Sequence, residues 1–366
     1  MINQLKKFKN KKVLITGHTG FKGSWLAIWL IYLGAEVVGV SNNIPTKPSN
    51  FLILKLKKKL KHRILDIRNY DNFKKLVLKE KPDFIFHLAA QSLVKKSYIY
   101  PRDTFETNSL GILNLLEILN HKYYKKNSSV VIITSDKSYK NLELERGYKE
   151  NDILGGHDPY SASKACAEIL IQSYVKSFLN KKKNLNISIA RAGNVIGGGD
   201  WSTNRLIPDC VRSISNNKKL MIRFPNSTRP WQHVLEPLSG YMILALKQKT
   251  NKKINGEAFN FGPKNKNSIS VIELIKIFKK NWATLSWQIV RSKKNEFESK
   301  LLKLNSNKAY NLLNWKCNLT INQTIYFVIN WYRFFLNKND MYEYSIYQIK
   351  KFESIVKRNF KKKKKN

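Results

Sequence analysis

Acidic residues, cysteines and long apolar runs are all in short supply in this chain. Aspartate and glutamate number 25 against 67 lysines and arginines, leaving a formal charge of +42 on 366 residues. The three cysteines, Cys166, Cys210 and Cys317, are odd in number, far apart and in no C-x-x-C pair. That argues against a disulfide framework and a zinc site; no metal is expected, and the setting is read as reducing and cytoplasmic. Nowhere does the chain approach the roughly eighteen consecutive apolar residues of a membrane-spanning helix. The basic stretch before Val13 lacks the apolar centre of a secretory signal, so no membrane partner is expected.

What is present suffices for a packed core: 42% of residues are hydrophobic and 12% aromatic, which rules out disordered and fibrous classes. At roughly 150 residues per domain, the length suits two domains or one large α/β unit with an attached lobe. The positive charge is a weak guide to partners. Only twelve of the basic residues are arginine, and the lysines are scattered along the chain until a final run at 361–365. Nucleic-acid readers lean on arginine, and neither a recognition helix, a zinc finger nor an aromatic platform is seen, so no nucleic acid is expected.

The first half alternates strand-like and helix-like segments. Lys12–Thr16 is a β-branched run suited to a buried parallel strand, and Ser24–Leu33 has helical spacing up to Gly34. Strands follow at 36–40, 63–65, 84–88, 130–133 and 186–190, with helices at 105–120 and 161–179 between them. This alternation predicts an α/β fold, an open parallel sheet doubly wound with helices on both faces. After Arg191 the chain turns glycine- and proline-rich, then helical and aromatic, which predicts a smaller α/β lobe built from the C-terminal half. The expected division is 1–192 for the sheet domain, completed by about 232–256; 193–231 and 257–350 for the lobe; and 351–366 as a basic tail.

Gly17, Gly20 and Gly23 stand between the first strand and the first helix in G-x-x-G-x-x-G spacing. Such a turn lets a pyrophosphate approach a helix N-terminus, where free amides and the macrodipole favour anions. The end of the second strand, Val40-Ser41-Asn42-Asn43, offers no acid for a ribose and no arginine for a 2′-phosphate. Asp66 and Ile67, after the third strand, are either an adenine contact or a plain loop. Tyr160 and Lys164 stand four apart at a helix start, so they share a face. A nearby ammonium lowers a tyrosine pKa towards the range of a working base, and Ser135 at a strand end supplies a hydroxyl for a reacting oxygen.

The glycine turn, H-L-A-A-Q at 87–91, the region of Asn108, T-S-D-K at 134–137 and Y-S-A-S-K at 160–164 resemble the extended short-chain dehydrogenase/reductase superfamily. The opening T-G-H-T-G-F-K-G-S-W, L-G-G-H-D-P-Y-S-A-S-K-A-C-A-E at 154–168, R-A-G-N-V-I-G-G-G-D-W at 191–201, R-L-I-P-D at 205–209 and R-P-W-Q-H-V-L-E-P-L-S-G-Y at 229–241 are similar to one family within it, the CDP-glucose 4,6-dehydratases. The resemblance runs from about residue 10 to 335 and implies a Rossmann sheet carrying a substrate-binding lobe. It further implies that CDP-glucose becomes CDP-4-keto-6-deoxyglucose, with NAD reduced and reoxidised within one turnover.

By that resemblance Tyr160 removes the C4 hydroxyl proton, Lys164 supports the tyrosinate and holds the nicotinamide ribose, and Ser135 binds the sugar oxygen, so Tyr160 and Lys164 are expected at the cofactor as well. Asp136 is the acid for the departing C6 hydroxyl. Lys137 stands where related dTDP-glucose dehydratases carry a glutamate base, and it either takes the C5 proton as a neutral amine or stabilises the enolate. Gly17, Thr19, Gly20, Phe21, Lys22, Gly23, Asp66, Ile67, Leu88, Ala89 and Ala90 are expected at the cofactor. Gln91, Asn194, Arg205, Arg229, Trp231, Gln232 and His233 are expected at the nucleotide sugar, with Trp231 and His233 equally readable as lobe packing. Asn108 is read as a backbone support. A homodimer or homotetramer through the helices at 105–120 and 161–179 is expected. The competing readings are a 4-epimerase or another dehydratase on the same fold, and a dinucleotide-binding sensor. Asp136-Lys137 weighs against an epimerase, which expels no water, and the complete Ser135–Tyr160–Lys164 set weighs against a sensor.

Overall fold

The computed structural model describes residues 2–263, 268–290 and 301–363. The β-branched runs of the first half form β1 (Lys12–Thr16), β2 (Glu36–Ser41), β3 (Lys61–Ile64), β4 (Phe84–His87), β5 (Ser128–Ile133) and β6 (Leu185–Arg191). Shorter strands follow: β7 (Val195–Ile196), β8 (Leu220–Ile222), β9 (Thr228–Pro230), β10 (Gln232–His233), β11 (Ala258–Asn260), β12 (Ser268–Ser270) and β13 (Trp287–Ile289). Seven of them make one sheet in the order β11-β6-β5-β4-β1-β2-β3, every neighbouring pair parallel. β4, β5 and β6 bury every side chain, as strands covered on both faces must.

One face carries the helices Tyr70–Glu80, Gly111–Asn120 and Pro159–Tyr174, packed through Val77, Leu115 and Ile171. The other carries Phe21–Tyr32, Leu235–Gln248 and Met341–Lys363, packed through Trp29, Leu238 and Phe352. The strand order reverses between β1 and β4, so a crevice opens beyond their C-terminal ends, the usual ligand position of such sheets.

Two expectations about the C-terminal half are corrected. Ala258–Asn260, expected in the lobe, is the edge strand β11 of the main sheet, with Phe259 opposite Ala190. The stretch from 351 is not a loose tail as far as it is described: it continues the helix Met341–Lys363 and buries Phe352 and Val356 against the sheet domain. Residues 364–366 of that expected tail lie outside the described residues. The N-terminus, basic by composition, also contributes to the core, with Ile2, Leu5 and Phe8 buried along the turn Ile2–Phe8.

The segment after β6 packs beside the glycine turn and the first helix. Its glycines 197–199 wedge between other elements: a side chain at Gly197 would press on Val234 and Phe21, and one at Gly198 would collide with Trp331. The indole of Trp25, on the first helix, donates to the Gly198 carbonyl at 2.8 Å. Just beyond these glycines Arg205 pairs with Asp200 at 3.0 Å, within the field of Tyr160.

Candidate active site

The glycine turn is built for close backbone approach. Gly17 has a φ of 76°, and a Cβ there would sit 2.8 Å from the Ala89 amide. A Cβ on Gly23 would collide with the Gly17 carbonyl. Only Gly20 has room, its nearest neighbour among the described residues being the Gly17 oxygen at 3.4 Å. The first helix starts at Gly20 with no side-chain cap, so its leading amides are available to an anion. The turn, Thr19 and Leu88–Ala90 thus fit the pyrophosphate of a dinucleotide. Thr19 locks the turn, its hydroxyl donating to Asn43 O at 2.7 Å.

The far end of that cradle was less legible. Ser41 is not open to a ribose; its hydroxyl bonds His18 Nδ1 at 3.1 Å, and His18 Nε2 bonds His62 Nδ1 at 2.7 Å. Burial, above all, pushes His18 down to about 4. Asp66 is engaged by Arg68 at 2.6 Å, and this hydrogen-bonded pair holds its carboxyl below the ordinary range. Ile67 is buried against Gly111.

Ser135, two residues past the end of β5, caps the short turn Asp136–Ser138: the Lys137 amide donates to its Oγ at 3.3 Å, and its own hydroxyl donates to Asp136 Oδ1 at 2.9 Å. Tyr160 and Lys164 come from the helix Pro159–Tyr174, started by Pro159 and capped by Asp158 accepting from the Ser161 amide. Burial pushes Tyr160 up to about 12; its hydrogen bond with Ser135 acts the other way, Asp136 raises it further and Arg205 lowers it. The cation bearing on Tyr160 is therefore Arg205 rather than the expected Lys164. Lys164 itself is pushed down to about 8, first by burial and then by Lys22, with Glu168 opposing.

Lys22, expected at the cofactor, lies in the fields of Arg205, Asp136 and Asp200. It too is lowered to about 8, by burial and then Arg205, while Asp136 and Asp200 oppose. Arg205 is paired with Asp200 at 3.0 Å. Cations and carboxylates thus alternate across the strand ends, with Lys137 half-buried beside them. Gly193 makes room for the acid, because any side chain there would collide with the Asp136 carboxylate. Tyr241, unnoticed in the sequence, buries a hydroxyl with no hydrogen-bond partner among the described residues in the field of Asp136 and Tyr160.

Three residues expected at the substrate are engaged in structure. Gln91 donates to Leu93 O and Thr104 Oγ1 and accepts from the Leu93 amide, so its amide closes its own loop. Gln232 bridges the carbonyls of Gly193 and Phe261 at 3.1 and 2.8 Å. His233 is fully buried between Trp25 and Phe327, and burial lowers it to about 3. Trp231 is mostly buried and donates to Ile269 O at 3.2 Å, while Arg229 donates to Thr228 O at 2.9 Å. Asn194 is half-buried at a φ of 51°. Asn108 behaves as read: within a π turn, it bonds both backbone groups of Gln91 and the Ser163 hydroxyl.

Beneath the site lies a buried ion pair. Arg191 forks onto Glu168, its Nε 2.8 Å from both oxygens, and also bonds the Tyr139 hydroxyl. Thr134 donates to Glu168 at 2.6 Å, so the pair grips the chain on both sides of Ser135–Ser138. Glu168→Ala leaves a buried guanidinium without its anion, and a loss of roughly 3–5 kcal/mol is expected. Denaturant unfolding measures it; an unchanged midpoint would show that the pair contributes nothing to stability.

Comparison with known proteins accords with this geometry. The family model described as GDP-mannose 4,6 dehydratase matches residues 14–327. A CDP-glucose 4,6-dehydratase of Salmonella typhimurium is 39% identical over 355 residues, 96% of this chain and 98% of that protein. The UDP-glucuronic acid 4-epimerase of Bacillus cereus, solved with UDP-glucuronic acid and NAD, aligns with a TM-score of 0.75 at 25% identity, covering 87% of this chain and 98% of that one. The dTDP-glucose 4,6-dehydratase of Bacillus anthracis, solved with NAD, shares the fold at a TM-score of 0.73 and 21% identity, covering 88% and 96%.

Proposed function

The chain belongs to the GDP-mannose 4,6 dehydratase family, and from that premise we propose that it converts CDP-glucose to CDP-4-keto-6-deoxyglucose and water. The observation that carries this reading is the Asp136-Lys137 pair directly after Ser135, with Asp136 in the field of Tyr160: two additional proton-handling groups beside a redox set. A 4-epimerase, the alternative on this fold, expels no water and needs neither. The choice of CDP-glucose rests on likeness to the Salmonella enzyme along nearly the whole chain.

Gly17, Gly20 and Gly23 with Leu88–Ala90 would hold NAD, which would supply a hydride acceptor for the oxidation at C4 and a donor for the return at C6. Tyr160 takes the C4 hydroxyl proton while Ser135 holds the oxygen. Arg205 supplies positive charge that favours the tyrosinate against a burial cost that otherwise holds the phenol neutral. The ketone at C4 acidifies the C5 proton, on which Lys137 acts. Asp136 protonates the C6 hydroxyl, which leaves as water. Arg205 and Arg229 suit the diphosphate, with Asn194 and Trp231 beside the nucleotide.

Exposed Leu110, Ile169 and Phe178 on the helices around 101–120 and 159–179 suit a homo-oligomeric interface. No helix among the described residues is long and apolar enough to cross a membrane. The lobe is proposed to span 193–231 and most of 261–340, and the product to feed deoxysugar synthesis for surface polysaccharide in the cytoplasm. The test is a panel of CDP-, dTDP-, GDP- and UDP-glucose with added NAD. A 4-keto-6-deoxy product from the CDP sugar, without net reduced cofactor, is expected; stoichiometric reduced cofactor would indicate an ordinary dehydrogenase.

A further inference from the structure

The carboxylate of Asp136 is held from two sides. Ser135 donates to its Oδ1 at 2.9 Å, and the rest of the group lies against the Cα of Gly193, where a Cβ would fall on Oδ2. Packing against a glycine fixes a carboxylate only if the peptide of that glycine is itself held, because no other residue has such backbone freedom. Gly193 lies between β6 and β7, outside both strands, and Asn194 after it turns at a φ of 51°.

Gln232 supplies the hold. Its buried side-chain amide donates to Gly193 O at 3.1 Å and to Phe261 O at 2.8 Å. Two carbonyl acceptors dictate which end of the amide carries the nitrogen, since the amide oxygen could serve neither. That oxygen accepts from the Cys317 thiol at 3.6 Å, and the Gln232 backbone amide donates to Asn194 O at 3.2 Å. Gly193 and Phe261 stand just past the ends of the neighbouring parallel strands β6 and β11, so one side chain ties both exits together beside the acid. The segment carrying Cys317 is anchored as well: the amides of Asn318 and Leu319 donate to buried Glu236 Oε1 at 2.8 and 2.7 Å. Resting on the dehydratase reading, we infer that Gln232 is a positioning residue for the water-loss step, acting through Gly193 to keep the Asp136 carboxyl in place. Both of its donors are committed within the protein, so it acts on the acid and not on the sugar nucleotide.

Gln232→Met keeps the side-chain length and removes both donors. Product formation is expected to fall about 10- to 10²-fold, the effect of a small misplacement of a reacting group. Oxidation at C4 should keep the parental rate, so enzyme-bound reduced cofactor builds up after mixing with NAD and CDP-glucose and is read by absorbance. Binding of CDP-glucose should be unchanged. Introduced into Asp136→Asn, Gln232→Met should slow product formation no further, as expected of residues acting through one group. Gln232→Glu keeps the shape and, when protonated, one donor; it should show the same pattern more weakly and serves should Gln232→Met fold poorly. Slowing of oxidation and water loss alike, with no build-up of reduced cofactor, would make Gln232 a strut of the whole site and overturn the inference. Weakened binding of CDP-glucose with turnover intact would overturn it in favour of a substrate contact, and additive losses in the double variant would overturn the route through Asp136. Absence of product from the parent enzyme with every sugar nucleotide would overturn the dehydratase reading, and the positioning role with it.

Discussion

Tyr160→Phe is expected to reduce turnover by about 10² to 10⁴-fold while leaving the fold intact. The substitution deletes one oxygen from a side chain whose ring is already buried, so packing changes little. What disappears is the only group assigned to the C4 hydroxyl proton. Circular dichroism and unfolding should match the parent, and cofactor titration should still saturate. The parent enzyme should also lose activity as pH rises through about 8, where Lys164 and Lys22 give up the charges that burial has already weakened. Below that value both are ammonium ions within the site; above it both charges are withdrawn. The two lysines influence each other, so the limb belongs to the pair. Activity of Tyr160→Phe within a few-fold of the parent would show that another group takes the proton.

The parts of the site legible in the sequence are those set by local spacing. A glycine turn between a strand and a helix, and a tyrosine and lysine four apart at a helix start, need no knowledge of distant chain. Buried strands such as Val130–Ile133 were legible for the same reason, since both covered faces demand an unbroken apolar run. What stayed hidden depends on partners far along the chain. Gln91, Gln232 and His233 are polar residues inside motif stretches, and composition does not tell a ligand contact from an internal strut. The structure distinguishes them because Gln232 meets the carbonyls of Gly193 and Phe261, 39 and 29 residues away. β11 joins the sheet and not the lobe because of its neighbour β6, which a three-residue strand does not mark in its own sequence. The terminal helix was obscured by its lysines, although Ile349, Phe352 and Val356 keep one face apolar. Lys22 followed from the glycine motif as a cofactor residue, while its proximity to Asp136 and Asp200 depends on the lobe closing over the first helix.

Asp136→Asn should separate the two halves of the reaction, with product formation falling about 10³-fold. The amide has the shape of the carboxyl but cannot give up a proton to a leaving hydroxyl, so oxidation at C4 can proceed while water loss stalls. Enzyme-bound reduced cofactor should then build up after mixing with CDP-glucose and be visible in absorbance, where the parent shows only a small steady level. Lys137→Ala should stall at the same stage, and solvent deuterium should fail to enter C5. The carboxylate is confined by Gly193 on one side and held by Ser135 on the other, so an asparagine amide should keep the same place. An epimerase would lose little from Asp136→Asn, and a dinucleotide sensor would show no reduced cofactor in either protein. Should Asp136→Asn bind cofactor and substrate yet fail at the first oxidation, Asp136 acts at C4 rather than C6. Its charge, already felt by Tyr160, would then be part of the base instead of the acid.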